Sequence, residues 1–255
     1  SAVQIAKKNG SEIFLLHLLE LPHQLHDAMT NGSSIPEVML FIKKAHEKLQ
    51  KIKEQPHLQG ITISTTVQFE RAFDGILSFN KKNNIDLIVM GSSGSSGIEE
   101  MLIGSNTEKV VRLSDIPVLV VKKDLDTFNI KNIVFASDFT KEIKKPFLKM
   151  IEFANIFDAN LALVMICTPN SFKTTAIAEK TMKDFIADFE VKNYSINIYN
   201  DSNIEKGIRN FTNTIGADLI GLCTHGRTGL SHFFNGSIGE DLVNHSTKPV
   251  ITFKI

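Results

Sequence analysis

Short apolar runs alternate along this chain with longer stretches in which apolar residues recur at helical spacing. Residues 13–19 form a near-continuous apolar run, as expected of a parallel strand buried on both faces. Val38, Leu40, Ile42, Ala45, Leu49 and Ile52 recur on one side of a charged stretch, which predicts a helix over 36–54. Residues 61–67 alternate and are rich in β-branched side chains, so they predict a strand. A helix over 71–83, a strand over 86–90, a glycine loop, a helix from about Ser105 and a strand over 116–121 follow. Residues 122–129 are mostly polar and read as a linker. Beyond it the same rhythm predicts strands over 133–136, 160–166, 193–199, 218–223 and 249–254. The helices between them are expected over 142–157, 172–190, 203–215 and 236–245. Strands alternating with helices predict an α/β fold, a parallel sheet with helices on both faces.

The pattern repeats. Met90-Gly91-Ser92-Ser93-Gly94 is followed after nine residues by Gly104-Ser105, and Leu222-Cys223-Thr224-His225-Gly226 after nine residues by Gly236-Ser237. Asp86 and Asp218, Gly75 and Gly207, Phe79 and Phe211, and Pro117 and Pro249 are all 132 positions apart. Nearer the start the offset becomes 148, aligning Ser11–Leu18 with Ala159–Ile166, so the first half carries 16 extra residues between these points. A period this long means two whole domains rather than a solenoid, here 1–124 and 125–255. By the 148 offset Ser1 corresponds to Lys149. The equivalents of about residues 131–148, including a first strand, are therefore missing from the first half. The simplest expectation is a sequence that lacks an N-terminal stretch.

The two loops carry the chemistry. Glycine allows close backbone approach to a phosphate and permits positive φ, and a helix N-terminus supplies unpaired N–H groups and a positive dipole end. Ser105 and Ser237 are expected to cap their helices and to donate a hydroxyl to phosphate. Arg227 is the better cationic candidate in the second loop, ahead of His225. Strand 1 of the second half ends in Ala136-Ser137-Asp138, and a carboxylate there can accept from ribose hydroxyls. One glycine loop after a strand is often only a turn; two in the same register point to nucleotide binding.

Gly-x2-Gly-x9-Gly-Ser, the Val134-Phe135-Ala136-Ser137-Asp138 opening and the Thr224-His225-Gly226-Arg227 segment resemble the ATP-binding signature of universal stress proteins, over essentially the whole chain. The resemblance implies two tandem Rossmann-like domains, each an open parallel five-stranded sheet of order 3-2-1-4-5, the first lacking its first strand. It implies ATP as ligand, with or without magnesium. Asp138 then touches the ribose, Ala136, Ser137 and Ile166 border the adenine, and Gly226, Gly236, Ser237 and Ile238 hold the phosphates. In the first half Gly91, Gly94, Gly104, Ser105 and Asn106 match the phosphate side and Leu18 the adenine side. Cys223 departs from the pattern by replacing a glycine; if that position needs positive φ the replacement is costly, and if only its backbone matters it is tolerated. The resemblance also implies that the two last strands pair, closing the halves on each other. A homodimer is an open alternative.

Composition excludes other classes. Lys+Arg and Asp+Glu number 28 each over 255 residues, so no basic field directs the chain to nucleic acid or an acidic membrane. No apolar run reaches 18 residues, and Ser1–Lys8 is too polar for a signal peptide. Cys167 and Cys223 therefore read as free thiols of a cytoplasmic protein, about 9–10 Å apart with one strand between them. The histidines show no metal-ligand spacing. No lysine follows the glycines as in a phosphate-binding loop of a nucleotide hydrolase. The leading expectation is thus a stress-response protein that senses a nucleotide, with hydrolysis at most weak. The alternatives are a weak ATPase and a degenerate module binding another small ligand or a protein.

Overall fold

The computed structural model describes residues 1–20, 35–92, 104–122, 128–224 and 237–255. It divides into two compact units, Ser1–Asn84 and Ile85–Ile255.

The first unit contains α1 (Ala2–Asn9), β1 (Ile13–Leu18), α2 (Ile35–Lys53), β2 (Ile63–Gln68) and α3 (Ala72–Asn83). β1 and β2 are parallel, with Ile13 opposite Ile63 and Leu18 opposite Gln68. Val38, Ala45 and Leu49 of α2 are buried, as the helical spacing requires, while Met39, Leu40 and Phe41 are exposed. Phe14 and Phe79 meet edge to face at 5.8 Å.

The second unit contains β3 (Ile88–Gly91), α4 (Ser105–Leu113), β4 (Val118–Val121), β5 (Asn132–Ala136), α5 (Lys144–Phe157), β6 (Asn160–Cys167), α6 (Thr175–Ile186), β7 (Tyr194–Asn200), α7 (Ile204–Thr214), β8 (Leu219–Thr224), α8 (Ser237–His245) and β9 (Val250–Lys254). One sheet runs β3-β4-β9-β8-β5-β6-β7. Every neighbouring pair is parallel except β4 and β9, which run antiparallel with Val118 opposite Thr252 and Val120 opposite Val250. The strands of the second half thus have the order 3-2-1-4-5.

β5 lies between β6 and β8, and Ile133, Val134 and Phe135 are fully buried. The first half differs: its four described strands fall on two sheets, β1 with β2 and β3 with β4. Among the described residues it has no counterpart of β5. β1, which among the described residues pairs only with β2, stays half-buried throughout, whereas its counterpart β6 is buried from Leu161 to Cys167.

The repeat extends to backbone detail. Gly10 (φ 65°) and Asp158 (φ 52°) end equivalent helices in the left-handed region, and so do Asn84 (φ 49°) and Gly216 (φ 62°). Ser114 and Ser246, both buried, donate to the carbonyls of Ile116 and Lys248 at 2.9 and 3.1 Å. α1, unforeseen in the hydrophobic pattern, is the counterpart of the last two turns of α5. One sequence expectation needs correction: the linker is not polar to its end. Phe128 is buried and packs on Phe157 at 5.8 Å, so core begins before β5.

Candidate functional site

The carboxyl end of β5 is where the strand order reverses, because β5 is followed in sequence by β6 on one side and is bordered by β8 on the other. Open parallel sheets bind ligands at such a point. Ala136 lies opposite both Val164 of β6 and Leu222 of β8. Ser137 continues the ladder, its N–H donating to the Val164 carbonyl at 3.2 Å. Its hydroxyl accepts from the Phe139 N–H at 3.1 Å and approaches Asp138 Oδ1 at 3.4 Å.

Phe139 has φ 57°, a left-handed conformation that costs a residue with a Cβ about 1–2 kcal/mol. The Phe139 ring is buried against Phe135 and Phe185, at 6.3 and 5.4 Å, and this packing holds the turn. Strained backbone held by its surroundings often marks a functional turn. Asp138, half-buried, directly precedes Phe139.

Ile166 is buried one strand away, and a Cβ on Gly207 of α7 would lie 2.5 Å from its Cγ2. Leu18 stands in the same relation to Gly75, at 2.5 Å from Cδ2, but is half-buried. Cys223 is fully buried in β8 opposite Phe253. Burial, and behind it the Asp138 charge, push its thiol far up, so it stays protonated. Its backbone is not left-handed, so the cysteine carries no such strain.

Two expectations about the loops are corrected. Gly91 ends a regular strand and Gly104 has φ −60°, so neither uses the positive φ open to glycine. Ser105 is exposed and does not cap α4; Gly104 occupies the cap position, without a side-chain bond. Instead the Gly104 N–H donates to the Ser92 carbonyl at 2.8 Å, and Thr107 Oγ1 to the Gly91 carbonyl at 3.0 Å. These bonds tie the end of β3 to the start of α4, on which Asn106 is exposed. Gly94, Gly226, Arg227 and Gly236 lie outside the described residues, as do the side chains of Ser237 and Ile238; Ser237 opens α8.

Thr224, the last residue of β8, was given no role of its own in the sequence beyond its place in the Thr224–Arg227 segment. Its Oγ1 is enclosed and has no hydrogen-bond partner among the described residues. An orphaned hydroxyl, a half-buried carboxylate and a helix N-terminus at one end of the sheet fit a ligand carrying both hydroxyls and an anion. Asp218, matched to Asp86 in the repeat, has a structural role at the opposite end: its Oδ2 accepts from the N–H groups of Lys131 and Asn132 at 2.8 and 3.0 Å. No group of three or more His, Cys, Asp or Glu able to hold a metal occurs among the described residues.

The model of the Universal stress protein family matches residues 1–122 and 196–254. The chain belongs to the universal stress protein family. The matched segments include β1 to β4, β7 from residue 196, β8 and β9; Asp138 and Ile166 fall between them. Universal stress protein MJ0531 of Methanocaldococcus jannaschii is 32% identical over 123 residues, 48% of this chain and 71% of that protein. Universal stress protein Slr1230 of Synechocystis is 21% identical over 276 residues, 99% of this chain and 93% of that protein. The crystal structure of a universal stress protein from Archaeoglobus fulgidus superposes with a TM-score of 0.72 and 21% identity. The match covers 99% of this chain and 90% of that one and establishes the shared fold. No helix among the described residues is long and apolar enough to cross a membrane.

Proposed function

We propose that this chain binds an adenine nucleotide in its second half, at the carboxyl ends of β5, β6 and β8, and acts as a nucleotide-dependent regulator in a stress response. The observation that carries the reading is Asp138, held by the left-handed turn at the point where strand order reverses. Its carboxylate accepts from the ribose hydroxyls. The N-terminal amides of α8 bind the phosphates, and Gly226, Gly236 and Ser237 are assigned to the same contact. Ile166, closed over by α7, offers its strand edge rather than a free side chain to the base. The residues hold ATP, with or without magnesium, rather than turn it over.

On this reading each half is one domain, 1–124 and 125–255, and their last strands, β4 and β9, pair with each other. The antiparallel β4–β9 ladder supports this, as do two lysines 132 positions apart. Lys122 donates to the Asn244 carbonyl, and Lys254 Nζ to Asp115 Oδ1 at 2.7 Å. Two free, buried cysteines fit a cytoplasmic protein.

Isothermal titration of ATP with magnesium tests the site. Wild type is expected to bind one nucleotide per chain. Asp138→Ala should weaken it about tenfold or more, the loss of hydrogen bonds to a charged acceptor, and Gly236→Val should abolish it. No binding by folded wild type overturns the reading.

A further inference from the structure

A cavity of about 220 Å³ lies within the second unit, between the loop leading into β4, the start of α5 and the end of β9. None of the residues assigned to the nucleotide lines it. Pro117, Pro146 and Phe253 are buried and give it an apolar floor. Its rim is exposed and charged. Lys254 Nζ is already paired with Asp115 Oδ1 at 2.7 Å, between β9 and the loop before β4. The ammonium groups of Lys145 and Lys149 and the carboxylate of Glu142 have no hydrogen-bond or ion-pair partner among the described residues. Two unpartnered cations thus face one unpartnered anion.

Local preference argues against lysines here. α5 opens Lys144-Lys145-Pro146 with no acid in its first turn, although the positive end of a helix disfavours cations. Lys144 is held by Asp188, but Lys145 and Lys149 stand as like charges at i and i+4, a spacing that destabilises a helix. Folded proteins break local rules of this kind chiefly at functional sites. The backbone adds little to the positive charge, since Pro146 has no N–H and the Lys144 N–H donates to the Lys141 carbonyl. The side chains carry it.

We propose that this cavity binds a small amphipathic monoanion, a single-ring or short-chain monocarboxylate, with its apolar body on Pro117, Pro146 and Phe253 and its carboxylate between Lys145 and Lys149. Size selects the class. The cavity is smaller than the ~300–1,000 Å³ of sites for drug-sized ligands and larger than the ~150 Å³ that encloses a benzene molecule. Charge selects the number of anionic groups: the excess of one ammonium matches one carboxylate, and a second would meet Glu142. Such a ligand touches Pro117 from the first half and α5 and Phe253 from the second, so its binding stabilises their junction. The site is independent of the nucleotide reading.

The test is calorimetric titration of benzoate and hexanoate into the full chain and into the double variant Lys145→Gln with Lys149→Gln. Benzamide and hexanamide serve as neutral controls, and amide NMR spectra locate the ligand. At least one acid is expected to bind with a Kd of about 1 mM or below, and its amide about tenfold or more weakly. The double variant should lose about tenfold or more in affinity for the acid. Ligand-free, it should melt no lower than wild type, because the lysines removed are exposed, unpaired and opposed by the helix dipole. Its ATP binding should equal that of wild type. Shift changes should centre on residues 115–117, 142–149 and 253–255. Absence of binding by both acids overturns the proposal, and so does equal affinity of acid and amide or of wild type and double variant. Shift changes centred on Asp138 and the end of β8 would place the acid in the nucleotide site and also overturn it.

Discussion

Gly207→Ala isolates one contact that sets the spacing between α7 and the sheet. The new methyl would lie 2.5 Å from Ile166 Cγ2, 3.2 Å from Asp201 Cβ and 3.3 Å from Ile166 Cδ1. Cγ2 branches directly from Cβ, so it can move only if the side chain leaves its rotamer or the strand shifts. Neither is easy, because Ile166 is buried, lies opposite Tyr199 in β7, and belongs to a strand that also pairs with β5 as far as Val164.

Alanine in a helix interior gains about 0.5–1 kcal/mol over glycine, while overpacking a core costs about 1–3 kcal/mol. The overlap is severe and the neighbour stiff, so a net loss of about 1–2 kcal/mol is expected. That corresponds to ~2–4 °C of melting temperature per kcal/mol for a unit of this size.

Gly75→Ala is the internal control. Its methyl would also meet a neighbour at 2.5 Å, but that atom is Leu18 Cδ2, the free end of a half-buried side chain that can swing away. Its cost should stay within about 0.5 kcal/mol. Urea unfolding of both variants measures the difference, and Ile166→Ala combined with Gly207→Ala should show a coupling of about 1 kcal/mol or more. A Gly207→Ala protein as stable as wild type, or a Gly75→Ala protein that is the more damaged, refutes the reasoning.

Other consequences are equally direct. Asp218→Ala removes the acceptor for two N–H groups at the start of β5 and should cost about 2–3 kcal/mol by thermal unfolding. Its exposed counterpart Asp86, with no such strand to hold, should cost under about 0.5 kcal/mol. Phe128→Ala should cost about 3–5 kcal/mol, as for a core ring; a loss below about 1 kcal/mol would return this residue to the linker. Cys223 stays protonated in the fold, whereas an unfolded thiol ionises near pH 8.5. The unfolded state then binds fewer protons, so stability should fall as pH rises above that point, by up to about 1.4 kcal/mol per unit. Cys223→Ala should remove that part of the slope in denaturation measured from pH 8 to 10.

Much of the fold is legible in the hydrophobic pattern because strand and helix periods are local properties. β6 and α7 follow from residues within each segment, and the repeat shows directly in Gly75 with Gly207 and in Asp86 with Asp218. The site's outline was legible for the same reason, since Asp138 and the glycine loops lie beside recognisable strand ends. Pairing between segments is non-local. An apolar run does not specify its neighbour; the order that places β5 between β6 and β8 came from the family resemblance, and only the assembled structure decided that β1, with a similar run, pairs among the described residues with β2 alone. Phe128 was assigned to a polar stretch because its partner, Phe157, lies 29 positions away. Nothing local announces a left-handed phenylalanine; Phe139 holds that conformation because Phe135 and Phe185 bury its ring. Thr224 stood in the sequence only as part of a motif; that its hydroxyl is enclosed without a described partner is decided by the packing around it. Sequence determined the elements and their duplication, and tertiary packing decided which otherwise ordinary residues stand at the site, because packing joins positions that no local pattern connects.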